Sequence, residues 1–142
     1  MKNMKLAVAL LAASAIAGCA ITQTVKPVTA SGMSQICVKN NPQVMMKEFA
    51  NELRAQVERK GYKATTFDGE RPSGCRHHME YTANWRWDMA MYLVFADLRV
   101  YEDGLLVGQA TYDAHGGGAN MSKFGATSEK LQRLVDELFA KK

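Results

Sequence analysis

Residues 35–67, QICVKNNPQVMMKEFANELRAQVERKGYKATTF, decide the architecture of this chain. Gln35–Lys39 has strand character. Asn41-Pro42 has the form of a helix start, with Asn as N-cap and Pro at a first position where its missing N–H costs nothing. Met46, Phe49, Ala50, Leu53 and Val57 then recur at the spacing of one helix face. Gly61 after Lys60 supplies a stop, so the pattern predicts a helix over 42–60. Tyr62–Phe67 is a second strand. A strand-helix-strand unit this compact makes its strands parallel and its crossover right-handed.

Downstream the period changes from helical to alternating. Asp68–Gly74 reads as loop, ending at Cys75. From His77 to Trp87, Met79, Tyr81, Ala83, Trp85 and Trp87 fall on one side. His78, Glu80, Thr82, Asn84 and Arg86 fall on the other, the pattern of a half-buried strand. In Met89–Tyr101 the residues Tyr92, Val94, Ala96, Leu98 and Val100 share one face. Glu102-Asp103-Gly104 is a tight turn into Leu105–Ala114, which pairs antiparallel with the strand before it. Gly116–Gly118 is a flexible break. Leu131, Leu134, Val135, Leu138 and Phe139 mark a second helix over about Ser122–Ala140, closed by Lys141-Lys142 at the favourable end of its dipole. The order β-α-β-β-β-β-α predicts an α+β fold. It is a two-layer sandwich with two helices on one face of a mixed sheet of about five strands. This order is similar to that of the TolB amino-terminal domain and the penicillin-binding-protein activator lipoproteins, a likeness of topology that carries no function with it.

Upstream lies the clearest functional signal. Residues 1–18, MKNMKLAVALLAASAIAG, have a positive start (Lys2, Lys5) and an apolar stretch from Leu6 to Ile16. That stretch is too short to span a hydrocarbon core of roughly 30 Å and has the flanks of a secretory signal. Ile16-Ala17-Gly18-Cys19 resembles the lipobox of bacterial lipoproteins. The resemblance implies a diacylglyceryl group on the Cys19 thiol, cleavage before it, and acylation (palmitate) of the new amino terminus. Three acyl chains, at about 0.8 kcal/mol per buried CH2, hold a protein far more firmly than one. Ala20 in place of Asp after the cysteine resembles the sorting signal for the outer membrane. Residues 20–34, AITQTVKPVTASGMS, lack apolar periodicity and read as a tether. The expected organisation is a signal peptide over 1–18, a lipidated tether over 19–34 and a periplasmic domain over 35–142. The segment Tyr81–Tyr101 also resembles small proteobacterial envelope lipoproteins of similar length, and no activity comes with that resemblance.

With Cys19 taken by lipid, Cys37 and Cys75 remain, an even number in an oxidising compartment, and a Cys37–Cys75 disulfide is expected. Of 142 residues, 47% are hydrophobic and 23% charged, which excludes disorder and a multispan membrane protein. The net charge of +4 includes Lys2 and Lys5; residues 19–142 carry 16 basic and 14 acidic side chains, too balanced for nucleic-acid binding.

No motif requires a catalytic, cofactor or metal residue. His115-Gly116-Gly117-Gly118 matches the oxyanion-hole run of some lipases, but neither Ser34 nor Ser73 lies in a nucleophile elbow. His77 and His78 point to opposite faces of a strand and cannot readily share an ion, whether or not Glu80, Asp113 or His115 took part. Met89 and Met91, at strand spacing, lack the clustering of a Cu(I) site. Asp97 and Arg99 read as a solvated ion pair. The aromatic row Tyr81, Trp85 and Trp87 either packs under the helices or, facing solvent, forms a binding platform. Met91, Leu93 and Phe95 form an apolar set on the other face. One of these sets is expected on an uncovered face, where an envelope protein or a peptidoglycan-associated partner would bind. The expected function is a noncatalytic, lipid-anchored interaction module, with a ligand or metal binder, or an envelope hydrolase, as alternatives.

Overall fold

A computed structural model of the chain describes residues 20–140; Cys19, the residues before it, and Lys141-Lys142, expected to close the second helix, lie outside the described residues. Six strands form one mixed sheet: β1 (Thr22–Lys26), β2 (Gln35–Lys39), β3 (Lys63–Phe67), β4 (His77–Asp88), β5 (Ala90–Glu102) and β6 (Leu105–Asp113). Their order across the sheet is β1-β6-β5-β4-β2-β3. Two helices, α1 (Phe49–Arg59) and α2 (Thr127–Leu138), pack on one face, so the expected α+β sandwich is present. β2 pairs parallel with both β3 and β4, as the compact strand-helix-strand unit requires, and every other pairing is antiparallel. Among the described residues no helix is long and apolar enough to cross a membrane.

The core lies between sheet and helices. Leu53 and Val57 of α1 and Leu131, Leu134, Val135 and Leu138 of α2 meet Ile36, Val38, Met79, Leu98, Val100 and Ala110 of the sheet. Phe49 packs against Tyr81 at 5.1 Å and edge-on against Trp85 at 5.6 Å between ring centroids.

Three expectations need correction. Residues 22–26, read as tether, form edge strand β1, in register with β6 from Thr22↔Asp113 to Lys26↔Gln109. Only Ala20 and Ile21 separate Cys19 from the sheet. Secondly, α1 begins at Phe49 rather than 42. Asn41 does not cap it: its Oδ1 accepts from the Gln43 N–H (3.0 Å) and its Nδ2 donates to the Tyr81 carbonyl (2.9 Å), so residues 41–48 wind as turns onto β4. Thirdly, α2 starts at Thr127, because a separate 3-10 turn, Met121–Phe124, precedes it and ends at Gly125.

β4 and β5 outrun their neighbours. Asn84↔Phe95↔Asp113 is the last rank of residues that spans β4, β5 and β6. Beyond it, Trp85–Asp88 pair only with Ala90–Leu93, as a two-stranded ribbon closed by Met89 alone at φ 63°. The register slips there: Phe95 faces Asn84, but Leu93 rather than Val94 faces Trp85. Val94 is the extra residue, and its carbonyl accepts from the Ala114 N–H at 2.8 Å.

Candidate functional site

The sheet face opposite the helices carries the side chains that alternate with the core: Lys39, Glu80, Thr82, Asn84, Asp97, Arg99, Gln109 and Thr111. They are organised around Asp97, which is only 7% exposed. One of its oxygens accepts from Gln109 Nε2 and Thr111 Oγ1, both at 2.8 Å, and the other pairs with Arg99 Nε at 2.7 Å. A carboxylate held by three donors is a fixed acceptor. Beside it Glu80 Oε1 lies 3.5 Å from Lys39 Nζ and 3.9 Å from His78 Nε2.

These groups line an open cleft of about 360 Å3, bounded by Lys39, Asn41, Glu80, Tyr81, Asp97 and Arg99. Tyr81 gives its ring to the core and its oxygen to the rim, where it accepts from the Asn41 N–H at 3.1 Å. Burial pushes its hydroxyl pKa up, so it stays neutral. Charges of both signs stand side by side, which suits a polar partner of mixed charge better than a polyanion.

At one margin of this face the Cys37–Cys75 disulfide, Cα atoms 5.8 Å apart, packs with Phe67 in a small separate cluster. The His78 ring stacks on Tyr101 (centroids 5.0 Å, planes 13° apart), and its Nδ1 is buried without a partner. Burial, first, and then Arg71 and Lys39, lower the His78 pKa below 6.5, with Glu80 opposing. At the other end His115 Nδ1 meets Asp113 Oδ1 at 2.7 Å; the His115 backbone N–H on that same oxygen is the main reason the Asp113 pKa is lowered. Among the described residues no three His, Cys, Asp or Glu side chains converge as ligands would.

The residues singled out from sequence do not share one surface. Tyr81 is buried, Trp85 is half-buried on Phe49, and Trp87 is 72% exposed. The row therefore enters the core at one end and leaves it at the other. Leu93 is wholly buried, because the bulge carries it into the core, and it cannot belong to an exposed set. Phe95 is half-buried near His115, and Met91, 49% exposed, lies on the ribbon beyond. Cys19 lies outside the described residues. Sequence reading missed the Asn41–Glu80 wall of the cleft, whose parts lie 39 residues apart and meet only through parallel pairing. It also missed the exposed Met121, which the 3-10 turn sets at the ribbon's end of the molecule.

No protein-family model matches the chain, and no curated protein sequence matches it. Among solved structures, its fold is shared with PelC from Paraburkholderia phytofirmans. Two PelC dodecamer structures, one of a point variant, superpose with TM-scores of 0.56 and 0.54 at 10% identity, each over 84% of this chain and 94% of the PelC chain. At that identity the likeness is one of fold.

Proposed function

We propose that the chain is a lipid-anchored lipoprotein of the cell envelope, held in the outer membrane by acyl chains on Cys19. Its folded part serves as a noncatalytic interaction module facing the periplasm. The observation that carries the module reading is the helix-free sheet face. Its polar side chains are fixed in place by one another around Asp97, as in a surface prepared for a partner and not for turnover. Pre-set side chains lose little rotamer entropy on binding. The partner is an envelope protein or a peptidoglycan-associated component. PelC assembles as a dodecamer on the same fold, so a second copy of this chain is also compatible with such a face. The cleft beside Asp97 favours, as a second reading, a small polar ligand of mixed charge.

Photocrosslinking residues at Thr82 and Asn84, both exposed on the open face, test the interaction in the membrane-anchored protein. The expected result is a discrete adduct from both, and none from Asn51, exposed on α1. Equal labelling from all three, or none, would discard the open face as the binding surface. Mass spectrometry of the mature chain tests the anchor: it should begin at an acylated Cys19.

A further inference from the structure

A group of exposed apolar side chains lies at the end of the sheet from which the described chain starts. Thr22, Asp113, Phe95 and Asn84 form one rank across β1, β6, β5 and β4. Ala20 and Ile21, just before that rank, lie against Gly116 and Gly117: a Cβ built on these glycines would meet the Ala20 carbonyl at 3.0 Å and Ile21 Cγ1 at 3.3 Å. From the same rank the β4–β5 ribbon projects four residues further, about 13 Å at the rise of a strand. Three residues of chain lead from Thr22 back to Cys19, a reach of roughly 10 Å. The chain ahead of Thr22 and the apex therefore leave the same rank of the sheet, and Cys19 is within reach of that end.

The apex is built of side chains that water does not favour. Trp87 is 72% exposed, Met89 85% and Met91 49%, and Met121 of the adjoining 3-10 turn is 71% exposed. Met89 occupies the left-handed turn position that glycine or asparagine takes most easily. A large apolar residue is kept there despite that conformational cost. The apex's one carboxylate, Asp88, is paired at 2.6 Å with Lys123, itself 5% exposed, and exposed Arg86 has no ion-pair partner among the described residues. Tryptophan, methionine and one arginine on a convex tip match the chemistry of a bilayer interface with phosphate headgroups. Four side chains on a point fall well short of the roughly 20 residues a side of a standard protein interface.

We infer that the β4–β5 apex is a second membrane contact. Trp87, Met89 and Met91, with Met121, enter the interfacial layer of the leaflet that holds the Cys19 acyl chains, and Arg86 meets lipid phosphate. This rests on the lipid-anchor reading. It adds an orientation: the domain stands on the bilayer by two points, with the sheet fixed relative to the membrane.

The test uses the full acylated chain in phosphatidylethanolamine–phosphatidylglycerol vesicles that contain lipid brominated near the headgroup end of the acyl chains. In a Trp85→Phe variant Trp87 is the sole tryptophan. Its emission should shift to the blue, lose intensity to the brominated lipid and resist aqueous iodide. Should that variant fold poorly, Met89→Cys carrying an environment-sensitive dye on an exposed position gives the same readout. An acylated chain whose apex stays open to iodide and unquenched by lipid overturns the second contact and leaves the anchor standing. A blue shift without lipid quenching places the apex against protein, a second copy included, and overturns it equally. An unmodified Cys19 in the mass spectrum of the same sample overturns the anchor itself.

Discussion

His78 is buried in its stack with Tyr101, its Nδ1 has no hydrogen-bond partner, and burial holds its pKa below 6.5. The folded chain therefore binds less proton there than the unfolded chain. Stability from this site is complete above pH 6.5 and is lost as the pH falls toward the folded value. His78→Phe keeps a ring against Tyr101 and removes the titration. Urea unfolding between about pH 7.5 and 5 should show a smaller fall in midpoint for this variant than for the native chain. Parallel curves would remove His78 as a source of acid sensitivity. Other residues were legible in part. Asp97 and Arg99 do pair, as their shared face implied. Yet Asp97 is buried where a solvated pair was expected, because Gln109 and Thr111 of β6 close over it. Which side chains cover an acid depends on strand register, and no local pattern encodes that.

Among the elements, β2 is legible to the residue because Ile36, Cys37 and Val38 form an apolar run buried on both faces. β1 is invisible for the opposite reason. TQTVK is polar apart from Val25, which packs against the core, and lies at a sheet edge, so its stability comes mainly from hydrogen bonds to β6. The segment after it is held by one glycine. Val28 donates its N–H to the Leu138 carbonyl (2.8 Å) and Thr29 to that of Val107 (3.0 Å). Val28 thereby crosses so close to Gly108 that a Cβ there would meet its Cγ2 at 2.7 Å and its Cα at 3.0 Å. Gly108→Val should push this crossing off α2 and β6 and cost about 1–3 kcal/mol, the range for overpacking. Hydrogen exchange should report it as faster exchange at the Val28 and Thr29 amides with Leu98 and Val100 unaffected. Unchanged protection at Val28 would show that the crossing is not held by the missing side chain. The bulge at Val94 is a second feature beyond sequence patterning: strict alternation puts Leu93 with Met91 and Phe95, and one extra residue breaks that set apart.

For the whole molecule, two layers leave one sheet face without helices, and the main core cannot protect it. The disulfide addresses the weakest part of that face. β3 is an edge strand of five residues, and β2 reaches β4 through two paired positions, Cys37↔His78 and Val38↔Met79. Cys37 lies at that junction, wholly buried, and its bond to Cys75 ties the loop after β3 down over Phe67. The bridge closes a loop of 38 residues that contains α1 and β3, so it removes freedom mainly from the unfolded strand-helix-strand unit. The chain-entropy relation gives roughly 4 kcal/mol for such a loop, a large fraction of the 5–15 kcal/mol typical of a domain. The Cys37→Ala/Cys75→Ala double variant should therefore unfold at markedly lower urea. In hydrogen exchange, β3 and residues 68–76 should lose protection first, while the β4–β5–β6 pairings keep theirs until global unfolding. Loss spread evenly over the sheet would mean that the bridge serves the main core, and a stability within about 1 kcal/mol of the native chain would mean the open face holds without it.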